Sequence, residues 1–293
     1  MNVLILDTKQ KLLPAYHYCK KMGYKVKVLY VESWPPSESE ILVSQAVKLE
    51  DKIFYDFFPD QIINFKEQEK YLKLETSLNK KFGLEGDYSN PFFMFKKDFD
   101  RICKELNIPT PPNKSNIVIQ KDDWSGGTNF KILDRKYATG FFQDYLEIDY
   151  IVTANMYSNG NEWFHLGYHQ NIYENQLLTH YYTPHFPSLE DESIIKDSIK
   201  KLSKYLKIHN KLFTWQFLKD KSGNLYSTDF NLRPGGGYHS GEYDTLISNE
   251  FWVEYLFGKT PPKEIQYTHQ IKGTYLKPSQ FGYGELKRKR SSL

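Results

Sequence analysis

Hydrophobic and polar positions follow several distinct rhythms along this chain. Val3-Leu4-Ile5-Leu6 is a continuous apolar run, the mark of a strand buried on both faces. Across 11–22, Leu12, Leu13, Ala15, Tyr16, Cys19 and Met22 recur at helical spacing, and Gly23 is a natural stop. Val26, Val28 and Tyr30 then alternate as a second strand. Strand, helix and strand in that order predict a parallel βαβ crossover. Trp34-Pro35-Pro36-Ser37 reads as a loop, 52–58 as a strand and 65–78 as a helix.

Asn90-Pro91 opens a new section. The pattern predicts a helix over 92–106, which cannot continue into Asn107-Ile108-Pro109-Thr110-Pro111-Pro112. Residues 116–120 read as a strand, and 130–133 return beside it to make a hairpin across a glycine loop, Asp122-Asp123-Trp124-Ser125-Gly126-Gly127-Thr128. Further strands are expected at 141–145, 150–157 and 163–169, the last two joined by Ser158-Asn159-Gly160-Asn161. Ile194, Ile195, Ile199, Leu202 and Leu206 mark an amphipathic helix over 193–206. Strands at 212–218 and 225–230 pair across a polar turn, followed by Asn231-Leu232-Arg233-Pro234-Gly235-Gly236-Gly237. A helix over 245–257 stops at Gly258. The fold class expected is α/β (α+β), with units at 1–88, 89–146 and 147–280 and a basic tail at 281–293.

Composition adjusts this picture only at the margins. The 23 Tyr and 20 Phe residues favour pleated, half-buried surfaces, although an AT-rich coding sequence enriches the same residues. A net charge of +3 makes no global polycation, so no nucleic-acid partner is expected. The one basic run, Lys287-Arg288-Lys289-Arg290, reads as a solvated, frayed tail rather than a localisation signal or membrane anchor. Residues 1–7 are too short an apolar run for a signal peptide, and no stretch approaches the roughly 20 apolar residues that span a bilayer. Cys19 and Cys103 each fall inside a predicted helix, which argues against a disulfide and for a soluble cytoplasmic protein. A homodimer is the default oligomer.

Candidate chemistry concentrates in the last hairpin. It brings Gln216, Asp229 and Asn231 within reach of one another, and residues two apart on an extended chain share a face. Three oxygen-bearing side chains suit Mg²⁺, a hard cation that completes its shell with phosphate oxygens. Arg233 follows, placed to neutralise a phosphate or acyl-phosphate oxygen. A plain hairpin with a polar face and a glycine turn accounts for the same residues.

The string Phe213-Thr214-Trp215-Gln216-Phe217-Leu218, then Tyr226-Ser227-Thr228-Asp229-Phe230-Asn231-Leu232-Arg233-Pro234-Gly235-Gly236, resembles the metal site of the ATP-grasp family. In that family a first ligand on one strand precedes an acidic residue, a hydrophobic residue, Asn, any residue, and Arg. Gln in the first place is similar to carbamoyl phosphate synthetase, and Asp229 stands where Glu is usual. Three weaker strings fall in the family's order. Lys96-Lys97 before Asn107-Ile108-Pro109-Thr110-Pro111 resembles the first nucleotide lysine segment, where counting back from Pro109 favours Lys97 over Lys96. Lys121 with Ser125-Gly126-Gly127 resembles the second lysine and the mobile loop over the phosphates. Gln143-Asp144-Tyr145-Leu146 resembles the hinge whose backbone reads adenine, and Asp149 the ribose-binding acid. Taken singly, the lysines also suit a solvated helix, the glycines a generic turn and Asp149 a turn cap.

The resemblance implies an ATP-grasp fold with an N-terminal βαβ domain, a small nucleotide lobe and a C-terminal antiparallel-sheet lobe. It implies ATP with Mg²⁺ or Mn²⁺ as cofactors, and a small carboxylate coupled through an acyl phosphate to an amine (or a thiol). A small-molecule kinase and a non-catalytic nucleotide-binding protein are the alternatives on the same scaffold. This sequence departs from the family in two ways. Only 110–120 separate the Pro-Thr-Pro segment from Lys121, so the small lobe is trimmed. No Arg lies between Arg135 and Arg233, which leaves Lys211, His169 or His180 to take the place of a central-sheet arginine. Residues 168–187, rich in His, Tyr and Asn, are expected to border the substrate pocket.

Overall fold

Three sheets organise the chain, and each grows from a different sequence pattern. The computed structural model describes residues 1–6, 13–30, 47–48, 56–65, 69–88, 95–121, 130–174, 177–234, 251–262, 265, 267, 269–279 and 286–292. The first sheet is parallel and four-stranded: β1 (Asn2–Leu6), β2 (Lys25–Tyr30), β3 (Val47–Lys48) and β4 (Gln61–Asn64), in the order β3-β2-β1-β4. Val3, Leu4, Ile5 and Leu6 are wholly buried because helices cover both sides. Ala15, Tyr16 and Cys19 of α1 (Leu13–Lys21) pack with Val3 and Ile5, whereas Leu78 of α2 (Glu69–Phe82) packs with Leu4 and Leu6. The expected βαβ crossover is therefore present. Of the strand expected at 52–58, residues 56–58 lie outside any strand and 52–55 fall outside the described residues. The fourth strand is β4, and Phe65 directly after it joins the sheet's core, which delays α2 beyond the expected start at 65.

The second unit is small. α3 (Lys96–Glu105) ends where Asn107 takes a left-handed conformation ahead of Pro109. Its expected beginning at 92–94 lies outside the described residues, and Phe95 is extended. β5 (Ile117–Lys121), β6 (Phe130–Asp134) and β7 (Phe141–Asp144) form an antiparallel sheet in the order β6-β5-β7. A single 3-10 turn, Arg135–Tyr137, joins β6 to β7, so the connection is as short as the sequence implies.

The third sheet is antiparallel and seven-stranded: β8 (Ile148–Ser158), β9 (Trp163–Glu174), β10 (Leu177–His185), β11 (Lys211–Asp220), β12 (Leu225–Asn231), β13 (His269–Ser279) and β14 (Leu286–Ser292). Their order is β12-β11-β8-β9-β10-β13-β14. Lys287 to Arg290 belong to β14 and pair with β13. The expected frayed tail is thus an end strand of the sheet, a position where charged residues are tolerated and block further pairing. On one face of this sheet Val152, Ala154, Met156, Phe213, Trp215, Phe217 and Phe230 form the main core with Ile195 and Leu202 of α4 (Leu189–Tyr205) and with Phe99 and Ile102 of α3. α4 starts earlier than its apolar pattern because Ser188 caps it, accepting from the Asp191 N–H at 3.1 Å. Glu190, Asp191 and Glu192 then occupy the first turn, where the helix dipole favours acids. α5 (Phe251–Leu256) sets Trp252, Val253 and Tyr255 against the first unit, and Gly258, at a φ of 90°, ends that segment. Among the described residues no helix is long and apolar enough to cross a membrane.

Candidate active site

The face of the large sheet opposite its main core carries the polar residues. Side chains of directly opposed residues in antiparallel strands share a face, so register shows which groups meet. Asp229 opposes Gln216, Gln216 opposes Thr153, and Thr153 opposes His169, which makes one polar row across four strands. Asn231, Thr214 and Asn155 form the next row. This alignment depends on a bulge. Phe217 opposes Ser227 but Gln216 opposes Asp229, so Thr228 is an extra residue in β12. Ser227 keeps its hydroxyl on the core side, where it accepts from Trp215 Nε1 at 2.8 Å. Strict alternation from Ser227 would turn Asp229 into that core as well. The bulge moves Asp229 and Asn231 to the polar face, a re-aiming that bulges beside functional sites commonly perform.

The small unit brings one ammonium group against this carboxylate and a second into its neighbourhood. Lys96 Nζ stands 4.0 Å from Asp229 Oδ1. Lys121 lies near enough to Asp229, Lys96 and Asp100 for all three charges to act on it. Burial pulls the Lys121 pKa down to about 8; Lys96 adds to that lowering, while Asp229 and Asp100 oppose it. Lys121 Nζ donates to Gln143 Oε1 at 3.2 Å, and Gln143 Nε2 donates to Asp100 Oδ1 at 2.9 Å.

Lys96, and not the expected Lys97, is thus the lysine of α3 that stands beside Asp229. α3 buries Lys96, Phe99, Asp100, Ile102 and Cys103, a stripe at i, i+3, i+4, i+6 and i+7, and Lys97 is exposed beside it. Counting back from Pro109 cannot separate adjacent residues, whereas helical phase from Phe99 and Cys103 selects Lys96. The same phase would have exposed Asp100, a polar residue on an apolar stripe that sequence reasoning missed.

The remaining expected residues divide. Asp144 is buried, and its carboxylate accepts from Lys114 N–H at 2.8 Å, Ser115 N–H at 2.8 Å and Arg135 Nη2 at 2.9 Å, which binds the small unit together. The N–H groups of Asp144 and Tyr145 donate to Pro112 and Ile117 carbonyls. Leu146 follows, half-buried, directly after β7. Asp149 is exposed at the start of β8. Arg233 is half-buried just past β12, with Nη1 donating to its neighbour's carbonyl at Pro234. Ser125, Gly126 and Gly127 lie outside the described residues, as do the glycines at 235–237.

Of the three stand-ins for a central-sheet arginine, only His169 shares the polar face. His180 opposes Ile172, and Ile172 opposes Tyr150, on the other side of the sheet. Lys211 is withdrawn from the site by Glu75 of α2, which it meets at 2.9 Å. Residues 168–187, expected beside the substrate, fall on both faces of β9 and β10, with Tyr168 and His185 on the core side.

The donor set fits a hard divalent cation. Asp229 supplies one carboxylate, and Gln216 and Asn231 supply amide oxygens on the same face. One protein charge suits an ion that takes its other ligands from phosphate and water. Both cysteines are free and buried, and burial pushes each thiol up to about 12.

No protein-family model matches this sequence, and no curated protein is similar to it in sequence. Solved structures are similar in shape. N5-carboxyaminoimidazole synthetase from Staphylococcus aureus superposes with a TM-score of 0.72 at 17% identity, covering 94% of this chain and 82% of that one. L-amino acid ligase from Bacillus licheniformis gives 0.70 at 15% identity, covering 94% and 80%. The chain has the ATP-grasp fold. A third ATP-grasp structure, the biotin carboxylase domain of Hydrogenobacter thermophilus 2-oxoglutarate carboxylase, was solved with magnesium ADP and bicarbonate. It matches with a TM-score of 0.65 at 14% identity, over 94% of this chain and 74% of that one.

Proposed function

We propose that this ATP-grasp chain is an ADP-forming carboxylate–amine ligase acting on an amino acid, a peptide or another small metabolite. The observation that carries the reading is that Lys96, from one unit, stands 4.0 Å from Asp229 of another, with Lys121 close enough for both charges to act on it. Two cations near one carboxylate suit a triphosphate bound through a metal ion, because phosphate oxygens satisfy the lysines and the metal satisfies the acid. That the similar structures include ligases crystallised with ADP or magnesium ADP supports the same reading.

In this reading Lys96 and Lys121 hold phosphate oxygens, and Asp229, Gln216 and Asn231 hold Mg²⁺, which supplies charge neutralisation on the phosphates. The hinge at Tyr145-Leu146 receives the adenine edge, Asp149 the ribose, and Ser125-Gly126-Gly127 close over the phosphates to exclude water. A substrate carboxylate oxygen attacks the γ-phosphorus, the bond to the bridging oxygen breaks, and ADP leaves. The amine nitrogen then attacks the acyl carbon, the carbon–oxygen bond to phosphate breaks, and the nitrogen loses its proton to solvent. Arg233 stabilises charge on the transferring group. No nucleophilic side chain is required, since positioning and charge compensation carry the rate.

The test is Mg²⁺-dependent ADP release across a panel of amino acids and dipeptides, with mass spectrometry of the products. The reading expects substrate-stimulated ADP and phosphate release with a new amide mass. A stable phosphoester with no free phosphate would make the protein a kinase, and ATP binding without turnover on any pair would remove the ligase reading.

A further inference from the structure

Lys121 is a flexible, half-buried side chain, so something must fix where its ammonium points. The group that contacts it is Gln143, and an amide has two chemically opposite ends. Its oxygen attracts an ammonium; its NH₂ repels one. With Gln143 Oε1 3.2 Å from Lys121 Nζ, the amide is in the attractive orientation. The other end explains why. Gln143 Nε2 donates at 2.9 Å to Asp100 Oδ1, and an ionised carboxylate only accepts. The reverse flip would set the amide oxygen against that carboxylate and the NH₂ against the ammonium, two repulsive contacts in a buried setting. Gln143 and Asp100 are both buried, where such polar contacts weigh more than in water.

Asp100 is also tied to the site by its own helix. It stands one turn after Lys96 on the buried stripe of α3, and its second oxygen accepts from Lys104 at 2.5 Å. One carboxylate thereby connects α3, which carries Lys96, with β7, which carries Gln143, and through Gln143 with Lys121 on β5.

We infer that Asp100 is a positioning residue for the nucleotide site: it locks the Gln143 amide so that Lys121 is held, charged, where the triphosphate binds. The inference rests on the nucleotide reading given above. Asp100→Asn is nearly isosteric and removes the acceptor-only character, so the amide is free to flip. Calorimetric titration of the full chain with Mg·ATP and with AMP separates the possible roles. The expected result is a roughly tenfold weaker Mg·ATP affinity, the scale of one charge-assisted hydrogen bond, with AMP affinity unchanged. In a Gln143→Leu background the same substitution should lose most of its effect, leaving only the direct pull of the Asp100 charge on Lys121. Thermal melting of each variant reports the fold separately. Equal weakening of ATP and AMP, an unchanged ATP affinity, or a full Asp100→Asn effect in the Gln143→Leu background would each overturn the inference. Failure of the unmodified chain to bind Mg·ATP would instead overturn the nucleotide reading, and Asp100 would fall with it.

Discussion

Two lysine–carboxylate pairs in this molecule invite comparison. Lys211 and Glu75 meet at 2.9 Å, each side chain only 5% exposed. Glu75 also accepts from Asn64 at 2.9 Å, and the Lys211 ammonium lies 4.7 Å from the Tyr88 ring centroid. A small cavity beside them, lined by Asn64, Glu75, Asn210 and Lys211, has room for about one water to serve remaining donors. Lys96 and Asp229, by contrast, stand 4.0 Å apart, and Asp229 is 28% exposed. The first pair is closed: each charge is taken out of water and answered by specific partners. The second is open on its acidic side: Lys96 is buried, but the Asp229 carboxylate still faces solvent. A closed pair joins α2 to the large sheet, whereas an open one, in the reading proposed above, offers its carboxylate to a ligand. In that reading, charge of the same types serves cohesion in one place and recognition in the other.

Mutating each pair sharpens the contrast. Asp229→Ala should lower ATP turnover by about 10²–10³-fold or more while leaving the melting temperature nearly unchanged, because the residue answers to ligand rather than fold. Steady-state ADP release with parallel calorimetry checks it, and undiminished turnover would remove Asp229 from the metal site. Glu75→Leu should do the opposite. Stranding Lys211 in the interior costs about 3–5 kcal/mol, read in urea unfolding, while the Mg·ATP affinity of the folded fraction is retained. Lys121→Ala is intermediate: Mg·ATP affinity falls by about 10–100-fold with a modest effect on stability. Unchanged affinity would move the phosphate site elsewhere.

A smaller effect concerns acid. On the core side of the large sheet, burial pulls the pKa values of His165 and His185 down to about 4. Both are neutral in the folded chain at pH 7, and an unfolded chain protonates near pH 6.5. Folding stability from these two groups is therefore complete above pH 6.5 and declines as pH falls towards 4. Melting temperature followed between pH 7.5 and 4.5 should show this slope, and His165→Leu should flatten it. The finest distinction is between neighbours: Lys96→Ala should weaken Mg·ATP binding about tenfold, and exposed Lys97→Ala should leave it within about twofold.

That last pair also marks the limit of what the sequence discloses. The string from Asp229 to Arg233 was legible because its chemistry is local. β1 was legible because its apolar run is unbroken, and β5 and β11 because apolar and aromatic residues dominate them. The bulge at Thr228 was not, since a bulge is defined by the partner strand and not by its own residues. Lys96 was hidden by counting from Pro109, although the phase of Phe99 and Cys103 contained the answer. β10, β13 and β14 went unread because they mix His, Tyr, Lys and Pro, and strands towards the end of a sheet need no apolar alternation. Asp144 was read only for the backbone of a nucleotide hinge; that its side chain ties together Lys114, Ser115 and Arg135 went unseen, because those contacts are made by the lobe's loops after folding.

The most direct measurement is the linkage between metal and nucleotide at Asp229. ATP binding is titrated with and without Mg²⁺, for the unmodified chain and for Asp229→Ala. The account predicts that Mg²⁺ tightens ATP binding in the unmodified chain and loses most of that effect in the variant. Equal tightening in both, or no ATP binding by the unmodified chain, would contradict it.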